Sequence, residues 1–298
     1  MALEFESVHK ATVESGGSIE DAQKAMGALA NNFSAFDPAA KSVNEKLATN
    51  LVLLQKIGVD NVAAAKSMDF FTRSLNMSAP AAADVTREIA MMGQEMGVTA
   101  SKMMSDFQAV SGDLAIYGNR MTEVFKGMAA AAKASGLEMS TLVQLGKQFD
   151  TFDGAADATS KLNSVLGTNL STIDMMNMSY DERVRALQRE LRQVGMNINT
   201  LDPYTQQYVA QSLGLSSVAE MQKLVNMSQA DIDNNRAAQE AANKRQEDLA
   251  VLTQQLVPIM DQLKIAFAAA AVSLEPLISH AIGFIQLVSD LSFLLKPL

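Results

Sequence analysis

Residues 249–298 read LAVLTQQLVPIMDQLKIAFAAAAVSLEPLISHAIGFIQLVSDLSFLLKPL and carry the strongest periodic pattern in the chain. Apolar residues recur at every seventh position from Leu249, and a second set follows three residues behind, in which only Ser273 and His280 are polar. A period of seven rather than about 3.6 favours left-handed supercoiling against partner helices. We therefore predict a helical segment that buries a seam. The predicted oligomerisation seam comprises Leu249, Leu252, Leu256, Ile259, Leu263, Leu277, Phe284, Leu287, Leu291 and Leu294.

This heptad segment cannot cover its own apolar stripe, so it requires copies of itself, another protein or a membrane. Its uncharged stretches, 265–274 and 276–289, are separated by Glu275 and are shorter than the roughly 20 residues that a membrane span needs. A buried bundle helix is therefore favoured over membrane insertion. Pro258 and Pro276 predict a kink or restart at two places, because proline cannot donate to the helical ladder.

The composition of all 298 residues predicts an all-α protein. Hydrophobic residues make up 48% and aromatic residues only 5%; Trp is absent, and helix-forming Ala, Leu, Gln and the 19 Met are abundant. A net charge of -9 argues against a nucleic-acid-coating role. The absence of Cys excludes disulfides, thiolate catalysis and sulfur-ligated zinc. The basic stretch 183–192 is interpreted as a solvated helix face.

Glycines followed by cap-forming residues divide the first 230 residues into short helices. Ser179 with Glu182 and Ser217 with Glu220 have the capping-box spacing. Helices are predicted over 60–76, 79–96, 99–116, 119–135, 140–150, 154–166, 171–177, 180–194, 203–213 and 216–226. The predicted organisation is a helical lead-in over 1–59, a compact multi-helix domain over 60–227, a polar connecting helix or flexible linker over 228–248 and the heptad segment over 249–298. Together they predict an elongated, oligomeric coiled coil or bundle.

No residue pattern predicts an active site. The two histidines, His9 and His280, lie in different regions with no metal-ligand spacing around them. The carboxylate pair Asp150 and Asp153 is more typical of helix N-termini than of glycan hydrolysis. Clustered methionines such as Met103 and Met104 fit helix faces and are expected in the core. We expect no enzymatic activity, no cofactor, no metal and no sequence-specific nucleic-acid binding.

Several segments of the middle domain carry a resemblance to a known family. They are Tyr117-Gly118, the stretch from Ala129 to Leu137, the stretch QFDTFDGAA over 148–156, Leu162-Asn163 with Leu166-Gly167, and MSYDER over 178–183. Their order over residues 60–225 resembles the helical region of tail tape measure proteins of contractile-tailed phages. The pattern Leu-x-Pro-Leu-Ile at 274–278 and the Leu-rich helix after it are similar to hydrophobic segments of such proteins.

The resemblance implies a structural virion protein. Members of the family lie as parallel helical copies inside the tail tube, set tail length, engage the baseplate hub and leave ahead of the DNA. The implied partners are further copies of the chain, with a trimer favoured, the tail hub and tail tube proteins, and the host inner membrane after release; assembly would occur in the host cytoplasm. A wholly helical chain of this length would extend about 450 Å at 1.5 Å per residue. A compact middle domain makes the chain much shorter than this. The chain would then belong to a phage with a short tail, or it would be the hub-proximal portion of a longer tape measure protein.

Four apolar side chains within the resembling segments, Phe149, Phe152, Leu162 and Leu166, are predicted to lie in the core of the middle domain, with Asp150 and Asp153 as exposed caps. Two functions from other classes remain open at this stage. One is a membrane-active pore former in which residues 256–298 insert, and the other is a tail-associated muralytic enzyme.

Overall fold

The computed structural model describes residues 17–194 and 200–237, and these residues form an all-α fold without β-strands, as predicted. A short 3-10 helical segment spans Ala115–Arg120. The α-helices are α1 Ile19–Asn32, α2 Lys41–Lys56, α3 Asn61–Leu75, α4 Ala79–Glu95, α5 Ala100–Leu114, α6 Met121–Ser135, α7 Met139–Lys147, α8 Phe152–Leu166, α9 Thr172–Asn177, α10 Tyr180–Gln193, α11 Pro203–Ser212 and α12 Val218–Asn226. Residues 229–237 are also helical.

The helix ends follow the caps that the sequence predicts. The Asp60 carboxylate accepts the Val62 and Ala63 N–H groups at the start of α3. Gly136 ends α6 in the left-handed conformation at φ 69°, where a side chain would be strained. At Ser217 only half of the predicted capping box forms, because the Glu220 carboxylate bonds Ser216 instead.

The first helices share the core of the later ones. Helix α1 packs against α2 and α3, and α2 packs against α3 and α4. Ala22 and Ala25 are fully buried, and their small side chains let α1 approach closely. The expectation of a looser lead-in over 1–59 therefore does not describe residues 19–56, which are integral to the helical core.

An aromatic cluster joins the helices of the first half to α6. The rings of Phe71 and Phe107 stack with centroids 5.1 Å apart, and Phe107 meets Phe125 edge to face at 5.3 Å. All three side chains are fully buried. Such pairs add about 0.5–1.5 kcal/mol each beyond burial of their area, so the cluster ties α3, α5 and α6 together.

The later helices assemble around α10. This helix packs against α6, α7 and α12, while α8 packs against α9 and α11. The Gln188 amide, buried within α10, donates to the Met227 carbonyl at 2.6 Å. That bond fixes α10 to the end of α12 and hence to the chain that enters residues 229–237.

The predicted polar connecting helix begins on the folded unit rather than in solvent. Ile232 is only 1% exposed, and Asn235 donates to the Ala130 carbonyl of α6 at 3.4 Å. Arg236 lies 3.8 Å from Glu123. Residues 238–248, the heptad segment and every residue of the predicted seam lie outside the described residues. Over 17–194 and 200–237, no helix is both long and apolar enough to cross a membrane.

Candidate functional site

The strongest concentration of buried polar chemistry centres on Arg183 in the first turns of α10. Its guanidinium is almost completely buried and donates to the carbonyls of Met175, Met176 and Gly146 at 2.8, 2.9 and 2.7 Å. It also pairs with Asp150 at 2.5 Å. One side chain therefore satisfies carbonyls of α7 and α9 and holds the turn after α7. We call these residues, with Tyr117, Tyr180 and Asp181, the Arg183 network.

Two tyrosines complete one side of the Arg183 network. The Tyr180 hydroxyl donates to Asp150 at 2.8 Å, and the Tyr180 N–H donates to the Tyr117 hydroxyl at 3.0 Å. The two rings meet edge to face at 5.2 Å, and the Arg183 guanidinium lies 5.3 Å from the Tyr180 ring centroid. Asp150 thus accepts from two buried partners, and the 3-10 segment is attached to the start of α10.

On the other side, Asp181 is held as firmly as Asp150. It is 5% exposed, pairs with Arg185 at 2.6 Å and lies 2.6 Å from the Ser179 hydroxyl. The adjacent Glu182 carboxylate accepts the Ser179 N–H at 2.8 Å, the reciprocal half of the predicted capping box.

Two glycines allow this close packing. A Cβ at Gly127 of α6 would lie 2.4 Å from the Asp181 carboxylate, and a Cβ at Gly146 of α7 would lie 2.8 Å from the Tyr180 ring. Both distances are shorter than real Cβ contacts. Only glycine therefore lets α6 and α7 approach α10 at these points without displacement.

Burial sets the protonation of the tyrosines. Loss of solvation raises the pKa of Tyr117 to about 12, with the Arg183 charge opposing the shift. Burial and the hydrogen bond to Asp150 both raise the pKa of Tyr180. Each hydroxyl therefore stays neutral at physiological pH and acts as a fixed hydrogen-bonding group rather than as a base.

The Arg183 network is built to hold helices together. Both oxygens of Asp150 and of Asp181 have partners, and the three nitrogens of Arg183 are all engaged. In residues 17–194 and 200–237, no group of three or more His, Cys, Asp or Glu side chains is placed to hold a metal ion.

Of the four residues of the resembling segments that are predicted to lie in the core, three are buried or partly buried and one is exposed. Phe149 and Leu162 are each 1% exposed, and Leu166 is partly buried against the core. Phe152 is 58% exposed, so its assignment to the core is wrong. Helix α7 ends at Lys147, and Thr151 caps α8 by accepting the Gly154 N–H. Because α8 starts in a new direction after this cap, Phe152 does not share the buried face on which Phe149 lies.

Two other predictions need correction. Asp150 and Asp153 are both exposed, as predicted. Asp150 does not cap a helix, however, because Thr151 caps α8 and the Asp150 carboxylate pairs with Arg183 and Tyr180. The interpretation of residues 183–192 as a solvated face is wrong at its first residue, since Arg183 is buried. The clustered methionines Met103 and Met104 lie in the core, at 2% and 1% exposure.

The sequence alone does not predict the Arg183 network as a unit. Its signal was present, because Tyr180, Val184, Leu187 and Leu191 form a buried helical stripe on which Arg183 also lies. His9 and His280 are outside the described residues. No protein-family model matches this chain, and neither a curated protein nor a solved structure is significantly similar to it.

Proposed function

We propose that this chain is a tail tape measure protein of a contractile-tailed phage, or the hub-proximal portion of one, with a structural rather than catalytic role. The observation that supports this most is the convergence of the resembling segments. Tyr117, Asp150, Tyr180 and Arg183 come from three of those segments, which are separated in sequence. Direct bonds link Tyr117 to Tyr180, Tyr180 to Asp150 and Asp150 to Arg183, and the side chains of Tyr180 and Arg183 are buried.

This convergence gives the resemblance a physical basis. Residues that position α7, α9, α10 and the 3-10 segment are the ones a family sharing this helical arrangement would need. The carboxylates and the guanidinium are saturated by structural bonds, which supports a scaffold role for them.

In this proposal the heptad segment would associate with its copies, as a trimer, and attach to the tail hub. The middle domain would stay folded without residues 265–298. The further partners proposed are the tube protein and, after release, the host inner membrane.

Tail length provides the direct test. Inserting four heptads after Leu263 adds about 28 residues and should lengthen the tail by about 42 Å, at about 1.5 Å per helical residue. The control is a variant of unchanged length, Gln254→Asp with Ala268→Asp, which should keep the parental tail length. Electron microscopy of particles gives the length. An unchanged tail would contradict the ruler function, and liposome leakage by the chain would then favour the membrane-active alternative.

Association through the seam has its own test. Leu256→Asp with Leu263→Asp places unpaired charges in the predicted seam, each costing several kcal/mol, and should dissociate the oligomer in sedimentation. Gln254→Asp with Ala268→Asp adds the same charge at heptad positions outside both apolar sets. If both double variants sediment like the parent, the seam assignment is wrong.

A further inference from the structure

A groove of about 1030 Å³ runs along α10, bordered by the end of α9 and by Gln229 at the start of the last described helical segment. The base of the groove is held in place by Gln188, which is 1% exposed and donates to the Met227 carbonyl at the end of α12. The groove is therefore a built feature of the packed unit, and it adjoins the Arg183 network, because Arg185 in its lining pairs with Asp181.

Three arginines of α10 line this groove: Arg185, Arg189 and Arg192. Their spacings of four and three residues place them on one helix face, with neighbouring Cβ atoms about 5–6 Å apart. Arg185 is held by Asp181. Arg189 and Arg192 are exposed, and they are the two arginines in the described part of the chain that have no ion pair.

The groove lining also holds the carboxylates of Glu182 and Asp174, so its three arginines outnumber its carboxylates by one. Burial opposes the ionisation of Glu182, but the hydrogen bonds from Ser179 outweigh it and lower the pKa of this carboxyl, so Glu182 stays charged and bonded to Ser179. Asp174 is exposed at the α9 side. The remaining lining includes the amides of Asn177, Gln193 and Gln229 and the side chain of Met178.

We propose that this groove is a docking site for an acidic peptide segment of a partner protein, whose carboxylates pair with Arg189 and Arg192. Guanidinium groups bind carboxylates through two parallel hydrogen bonds, which gives direction as well as charge attraction. The amides can bond the peptide backbone of the occupant, and Met178 offers an adaptable apolar contact. The proposal does not depend on the tape measure function.

A peptide fits these observations better than a nucleic acid. Two unpaired guanidinium groups are few against the roughly 6–10 phosphate contacts of a typical DNA-binding protein. The chain as a whole carries a net charge of -9, which repels a polyanion over its length. A short acidic segment needs only the local positive charge of the groove.

The test measures binding of a fluorescein-labelled helical peptide whose glutamates recur at spacings of three and four, by anisotropy at low salt with the full chain. The same peptide with Gln in place of Glu is the ligand control. Arg189→Gln with Arg192→Gln removes both free guanidinium groups. Lys41→Gln with Lys66→Gln removes the same charge from exposed positions on α2 and α3.

We expect the arginine double variant to bind the acidic peptide about tenfold more weakly, equivalent to about 1.4 kcal/mol, while the lysine double variant binds like the parent. Both variants should keep the parent's helical circular dichroism, since the four side chains are exposed. An equal loss in both variants would show attraction to overall charge and overturn the proposal. So would equal binding of the Gln peptide, absence of binding by the parent, or tighter binding of a labelled oligonucleotide than of the peptide.

Discussion

Replacing Arg183 with methionine should destabilise the folded unit far more than replacing any exposed arginine. Three carbonyls lose a donor, and each lost bond costs about 1 kcal/mol. The contact with the Tyr180 ring adds about 0.5–1 kcal/mol. Asp150 retains 32% exposure, so it can rehydrate, and its pair contributes less than the roughly 3–5 kcal/mol of a fully buried one.

The expected total for Arg183→Met is about 4 kcal/mol, a large part of the roughly 5–15 kcal/mol that stabilises a typical protein. Arg73→Met is the control, because that side chain is 69% exposed and lies 3.7 Å from Asp69; an exposed pair contributes at most about 1 kcal/mol. Arg183→Lys should fall between them, since lysine keeps the charge but cannot reproduce the planar fork.

Urea unfolding of the full chain, followed by helical circular dichroism, measures these differences in the free energy of unfolding. If Arg183→Met and Arg73→Met shift it equally, by less than about 1 kcal/mol, the Arg183 network does not hold the helices together and the reasoning fails.

Three further predictions concern packing and pH. Phe149→Ala should cost about 3–5 kcal/mol, whereas Phe152→Ala should cost much less because its ring is 58% exposed; equal thermal shifts would contradict the burial assignment. Gly127→Ala should destabilise the unit through the clash with Asp181. Gly112→Ala has open space around its Cβ at an exposed position of α5 and should stabilise that helix by about 0.5–1 kcal/mol; urea midpoints that move together in the two variants would refute this. Folding raises the pKa of Tyr117 to about 12, so the stability that the neutral Tyr117 hydroxyl confers is complete below about pH 10 and is lost as the pH rises towards 12. A Tyr117→Phe variant should therefore show a smaller fall in urea midpoint at alkaline pH than the parent. An identical fall would show that ionisation of Tyr117 does not cause the alkaline loss of stability.

Local signals in the sequence predicted the helix ends well, because capping depends on residues only a few positions apart. The predicted helices over 79–96 and 203–213 correspond to Ala79–Glu95 and Pro203–Ser212. The boundary predicted between the helices over 140–150 and 154–166 is also present, between α7 and α8. Its position alone does not predict which of the flanking rings is buried, and the structure buries Phe149 and exposes Phe152.

The Arg183 network could not be predicted as a unit, because the bonds that join Arg183 and Tyr180 to the earlier part of the chain link residues 30 to 63 positions apart. A run of charged residues is on average typical of a solvated helix face. Only the packing of α7 and α9 around the start of α10 shows that Arg183 is buried. The packing of α1 in the core also depends on residues distant in sequence. Three of its four buried residues are alanines, which carry little hydrophobic signal, yet small side chains permit close helix packing.

The attachment of residues 229–237 to α6 has a consequence for how the chain is made. Asn235 donates to the carbonyl of Ala130, which lies 105 positions earlier in the chain. The part of α6 around Ala130 therefore lacks this contact until residues 229–237 have been synthesised. Domains generally fold as units in the order of their synthesis. The last contacts of the unit are therefore supplied just before translation reaches the apolar heptads that begin at Leu249. Each nascent chain can therefore complete its own core before its apolar heptad segment meets other chains being translated from the same messenger RNA.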